Sequence, residues 1–173
     1  MSRARFVAVS ATLPNASDVG AWVGAPPAAV LTFGDDVRPV PLRTLVRGYP
    51  PANNDFLFER RLNSHLLGLV QAHAEGRPTL VFCSSRKGAA DAAAQLSVAS
   101  GGSLVPSPDA GRALAAGASA VQCRALAQAL LYGIGYHHAG LEPGDRAVVE
   151  GLFSERWLPV RRGKDWDGFG GGL

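Results

Sequence analysis

The sequence holds only two cysteines, Cys83 and Cys123, and no apolar run long enough to span a membrane or to form the core of a secretion signal. Two cysteines make no disulfide framework, and they read as thiols of a reducing, intracellular compartment. Charge is scarce as well. A net charge of +3 with a pI near 9.2 is compatible with a polyanionic partner but does not select one. Three chemistries are missing. Gly111 to Ser119 is rich in small residues but lacks the Gly-Lys-Ser/Thr ending with which a Walker loop holds phosphates and magnesium. No Gly-x-Ser-x-Gly elbow presents a serine nucleophile. His137 and His138 are adjacent, so on a strand they point to opposite faces, and no set of Cys, His or carboxylate residues at ligand spacing accompanies them; no metal site is read there.

What is present is a globular composition, 173 residues of which 47% are hydrophobic, enough for one good core or two partial ones. The chain is organised around Pro78 to Gly88. Thr79 to Cys83 shows no polar alternation, which suits a strand of a parallel sheet covered on both faces, and the run stops in Ser84, Ser85, Arg86 and Lys87. In open α/β sheets ligands sit beyond the carboxyl ends of the strands. Hydroxyls, the N–H groups of the following helix and a guanidinium together suit a phosphate. The same residues also suit a plain helix start, with Ser84 or Ser85 as cap and the two cations solvated. On this stretch alone the capping reading is the simpler one.

Two other strand candidates end in the same way. Phe6 to Ser10 stops at Ser10-Ala11-Thr12, and Ile134 to His138 stops at His137-His138-Ala139-Gly140. Between them the pattern predicts a short helix after Asn15 with Val19, Trp22 and Val23 on one face. Strands are expected at Ala29 to Phe33 and Val40 to Gly48. An amphipathic helix is expected over Glu59 to Ala74, with His73 at its core or boundary, and an alanine-rich helix over Ala89 to Ser100. Residues 103–119 read as an exposed, partly helical insertion. A helix over Ala120 to Tyr132 and another from Pro143 or Asp145 to Ser154 complete the outline.

Taken together, Ser10-Ala11-Thr12, the run Val81 to Gly88, and Tyr136 to Leu141 with Arg146, Val149, Glu150 and Phe153 resemble three successive motifs of the Ski-like superfamily-two helicases. Within that group, Asn54 to Leu62 and the Arg86-Lys87-Gly88 ending are similar to the meiotic crossover ATP-dependent DNA helicases, particularly their plant-type members. The resemblance runs in order from about Arg5 to Val160. It implies an α/β chain of partial RecA-like parallel-sheet domains. Residues 1–48 would be the end of the first domain with a connector, and 49–160 the first part of the second. Ser10, Ala11 and Thr12 would couple hydrolysis to strand separation. Ser84, Ser85, Arg86, Lys87, His137, His138 and Gly140 would grip nucleic-acid backbone.

The resemblance further implies a nuclear DNA helicase of meiotic recombination acting on single-stranded and branched DNA, with RNA the less favoured substrate, no membrane, and no oligomeric state indicated. ATP and magnesium would be cofactors of the parent enzyme. The family's phosphate loop and acidic magnesium motif would fall before Arg5 and its arginine finger after Val160, so neither cofactor is expected on this chain alone. Arg161 to Leu173 departs from the pattern and reads as a disordered tail. Two rival expectations stand beside this one: an RNA helicase of the same superfamily, and a non-catalytic module that binds nucleic acid or a partner.

Overall fold

The computed structural model describes residues 5–11 and 13–163. The chain divides into two compact units, 1–48 and 49–173.

In the first unit the only α-helix among the described residues is α1 (Ala16–Trp22), begun by Asn15 without a side-chain cap bond. Single 3-10 turns follow at Pro27–Ala29 and Asp35–Val37. Gly20 is the buried residue of α1, and a side chain there would run into Val30. The expected shared face of Val19, Trp22 and Val23 does not form a core, since Trp22 is 86% exposed. None of the strands expected at Phe6 to Ser10, Ala29 to Phe33 and Val40 to Gly48 is present. Their β-branched composition fits a pleated surface, but a strand is stable only beside a partner, and the described residues of the unit hold no strand to pair with. Phe6, Val7 and Val9 are accordingly exposed.

The second unit holds α2 (Asp55–Ser64), α3 (Leu66–His73), β1 (Thr79–Phe82), α4 (Arg86–Ser100), α5 (Pro108–Ala120), α6 (Arg124–Leu131), β2 (Ile134–His137), α7 (Pro143–Ser154) and β3 (Val160–Gly163). The three strands form one parallel sheet in the order β1-β3-β2. Helices α4, α6 and α7 pack on it. The core lies between these layers, where Leu96, Leu126, Leu130, Ile134, Val149, Leu158 and Val160 are fully buried. Gly133 turns the chain from α6 into β2 at φ +76, a conformation that glycine adopts without penalty, and Gly101 ends α4 in the left-handed region.

Several expectations need correction. The helix over Glu59 to Ala74 is two helices broken at His65, and the first begins earlier because Asn54 Oδ1 accepts from Leu57 N at 2.8 Å. His73 is exposed. Residues 103–119 are no exposed insertion. Ser107 caps α5 by accepting from Ala110 N, Pro108 fills its first turn, and Ala110, Leu114 and Gly117 are buried against the rest of the unit. Gly117 leaves room for Leu152, whose Cδ1 would stand 2.7 Å from an added methyl. Strand β1 is covered less than its unbroken apolar run implies: it is a sheet edge, and Phe82 is 61% exposed. The helix expected from Ala120 starts at Arg124, and β2 ends at His137 rather than His138. The disordered tail expected from Arg161 is contradicted over its first three residues, where β3 continues through Gly163; 164–173 lie outside the described residues.

Candidate nucleic-acid interface

Parallel strands deliver their following loops to one end of a sheet, so the residues after β1 and β2 emerge together. After β1 the chain turns into α4 at Ser85, whose hydroxyl accepts from Gly88 N at 2.9 Å. Ser85 is therefore a helix cap. Ser84 is exposed and its hydroxyl donates to Glu59 Oε1 of α2. The other carboxylate oxygen of Glu59 would stand 3.5 Å from a methyl added to Gly88, so both oxygens lie at the first turn of α4, where the helix dipole favours negative charge. Both serine hydroxyls thus have partners inside the protein. Arg86 and Lys87 are exposed at the same helix start.

After β2, the imidazole of His137 approaches Glu150 Oε1 of α7 at 2.8 Å through Nε2, and its side chain is only 13% exposed. His138 lies over the ring of Tyr136, with centroids 5.7 Å apart and planes 24° from parallel. Its Nδ1 accepts from Gly140 N at 3.2 Å, which closes the loop into a tight turn. Arg86 reaches this turn. A methyl placed on Gly140 would stand 3.4 Å from Arg86 Nη1 and 3.3 Å from His138 Nδ1. The two loops therefore form one surface, with Arg86 lying against Gly140 and Lys87 exposed at the same helix start.

Below this surface the packing is polar and specific. Asp145, 2% exposed, accepts from Gln122 N at 2.8 Å and Cys123 N at 3.0 Å, and so holds the start of α6 against α7. The Tyr136 hydroxyl meets Cys123 Sγ at 3.2 Å. Burial, and then the thiol beside it, push the Tyr136 phenol well above its ordinary range. Arg146 Nε is buried without a hydrogen-bond partner.

Of the residues singled out in the sequence, Ser84, Ser85, Arg86, Lys87, His137, His138 and Gly140 all lie at the strand ends of the second unit. Ser10 and Ala11 belong to the first unit and are exposed in irregular backbone, and Thr12 lies outside the described residues. Glu59 and Asp145 take part in the site's construction without having been singled out for it. Glu59 is legible only as an acid four residues into a helix after an Asn cap, and Asp145 only as a first-turn acid; neither pattern reveals a tertiary partner.

No family model matches the chain. Curated proteins do. The chain is 43% identical over 158 residues to the ATP-dependent DNA helicase MER3 homolog of rice (Oryza sativa subsp. japonica), covering 88% of this chain and 13% of that protein. It is 40% identical over 158 residues to the ATP-dependent DNA helicase homolog MER3 of Arabidopsis thaliana, covering 88% and 14%. A DExH-box ATP-dependent RNA helicase of Arabidopsis, DExH14, is 31% identical over 168 residues, covering 90% and 7%. The resemblance drawn from the motifs is matched by these relatives, which are ATP-dependent helicases 31–43% identical to this chain over most of its length. They include MER3 ATP-dependent DNA helicases, of whose length the chain spans roughly an eighth.

Proposed function

We propose that this chain is part of an ATP-dependent DNA helicase and that its second unit carries a grip for the backbone of single-stranded DNA. The observation that supports this best is the meeting of the β1 and β2 loops, where Arg86 lies against Gly140 and Lys87 is exposed at the same helix start. A guanidinium, an ammonium and backbone amides at strand ends hold phosphates whatever the bases are, as a motor must while it steps. With Ser84 engaged by Glu59 and Ser85 by its own helix, the cations carry more of the contact than the serine hydroxyls.

In this reading residues 1–48 are the end of a first RecA-like domain with a connector, and 49–160 belong to a second. Ser10, Ala11 and Thr12 couple nucleotide hydrolysis to strand separation. The helicase works in the nucleus, in meiotic recombination. ATP and magnesium serve the whole enzyme. This chain has no Gly-Lys-Ser/Thr loop to hold them, so no step of hydrolysis is assigned to its residues. DNA is favoured over RNA by the higher identity to the MER3 helicases, while the similarity to an RNA helicase makes RNA the second reading.

Fluorescence anisotropy of the chain with labelled single-stranded DNA tests the grip. Binding should be insensitive to sequence and fall with salt at a slope of roughly −0.7 per phosphate contact. Arg86→Lys keeps the charge but loses the fork, so both Arg86→Lys and Arg86→Ala should weaken binding if the guanidinium makes a forked contact. Equal binding by wild type and both variants would refute the grip.

A further inference from the structure

The surface around Arg86 and Lys87 does not end at the strand loops. It continues between α2 and α4 as a shallow groove of about 80 Å³ that shares Ser85 and Lys87 with the grip. Phe56 stands in its wall and is 60% exposed, whereas Phe58 and Leu62 of the same helix are half-buried. Arg60, Asn63, Lys87 and Gln95 complete the lining with Glu59 and Asp91. From these residues we infer that the groove is a base-stacking site, in which one nucleobase of the gripped strand lies on the Phe56 ring while its phosphate stays with Arg86 and Lys87.

The charges choose the occupant. Arg60 and Lys87 face Glu59 and Asp91, so the groove is neutral in sum and offers a phosphate no advantage over the exposed cations outside it. A nucleobase is uncharged, presents a π face to an aromatic ring, and has edges that pair with amides such as those of Asn63 and Gln95. The groove is too small to enclose a whole nucleotide. A ring laid against one wall with its backbone outside fits that shape. An apolar side chain this exposed contributes little to the core, and most of the Phe56 ring is open to a ligand beside two cations and two amides.

The inference rests on the proposed backbone grip, and a pair of strands separates the two. One is fluorescein-labelled oligo(dT), the other an abasic strand of equal length with the same phosphates and no bases. Phe56→Ala and Phe56→Leu should weaken oligo(dT) binding by roughly 5- to 100-fold, in the range known for loss of one stacked base, while binding to the abasic strand and the salt slope stay unchanged. Phe56→Trp should restore affinity, and its added indole emission should be quenched on binding oligo(dT) but not the abasic strand. Thermal melting should be the same for all variants, because the ring is largely exposed. Wild-type affinity in Phe56→Ala, or an equal loss on both strands, would overturn the stacking site and leave the grip standing. Failure of the wild-type chain to bind either strand would overturn the grip and the stacking site with it.

Discussion

Asp145 offers the sharpest test of how the second unit is held together. The residue is buried in the first turn of α7, and its two oxygens accept from Gln122 N at 2.8 Å and Cys123 N at 3.0 Å. Asp145→Ala removes both acceptors at once. Hydrogen bonds to a charged group contribute roughly 1.5–3 kcal/mol each. The two amides are only partly buried, so water recovers some of that loss and the lower end of the range applies, for a total of about 3 kcal/mol. Asp145→Asn keeps one acceptor but turns an NH₂ donor toward the second N–H, so a loss of about 2 kcal/mol is expected. Urea unfolding followed by circular dichroism reads both values, with the midpoint falling and the slope unchanged. Hydrogen exchange at Gln122 and Cys123 should accelerate before that of the β2 amides. A loss below about 0.5 kcal/mol in Asp145→Ala would mean that water serves these amides as well as the carboxylate does, and that the cap holds nothing.

Two further outcomes follow from the same core. Burial raises the Tyr136 phenol above its ordinary 10.0 in the folded chain, so the unfolded state ionises first; stability should hold below about pH 10 and then fall by about 1.4 kcal/mol per pH unit as pH rises toward the folded value. Alkaline unfolding of Tyr136→Phe should lack that slope, and an identical slope in both proteins would count against the assignment. Gly135→Ala would place a methyl 2.6 Å from Leu158 Cδ2 and 3.2 Å from Val149 Cγ1, so a loss of about 1–3 kcal/mol by chemical denaturation is expected, and no loss would show that the core yields more readily than its packing suggests.

The strands at Thr79–Phe82 and Ile134–His137 are legible because each is a short apolar run ended by polar residues, a pattern that survives without tertiary context. The same logic fails at Phe6 to Ser10. Composition reports what a segment suits, and pairing depends on whether another strand lies beside it. Helix α5 fails in the opposite direction. Ala, Gly and Ser give almost no periodic signal, yet small residues let helices approach closely, as Gly117 does against Leu152 and Val148. At the candidate site the residue types were readable and their engagements were not. Nothing in the order of the chain says that Ser84 donates to Glu59, 25 residues earlier, or that Arg86 lies against Gly140.

The strand order explains why that last contact exists at all. β1 and β2 are not neighbours; β3 lies between them, and Phe82 and His137 are both in register with Gly163. Adjacent strands are about 4.8 Å apart, so the ends of β1 and β2 are separated by about 9.6 Å and leave the sheet at the same height. A gap of that width is too great for serine hydroxyls or main chain to cross. Arginine can bridge it, and its guanidinium comes to 3.4 Å from where a methyl on Gly140 would stand, an ordinary contact. The strand that sets the spacing comes last among the described elements, after α7. Pairing of β3 with both strands, together with the packing of α4 on β2, fixes the separation of the two loops. The surface around Arg86 and Gly140 is accordingly a property of the closed sheet and not of either motif, which is why each motif read by itself supports a helix start or a turn as readily as a phosphate contact.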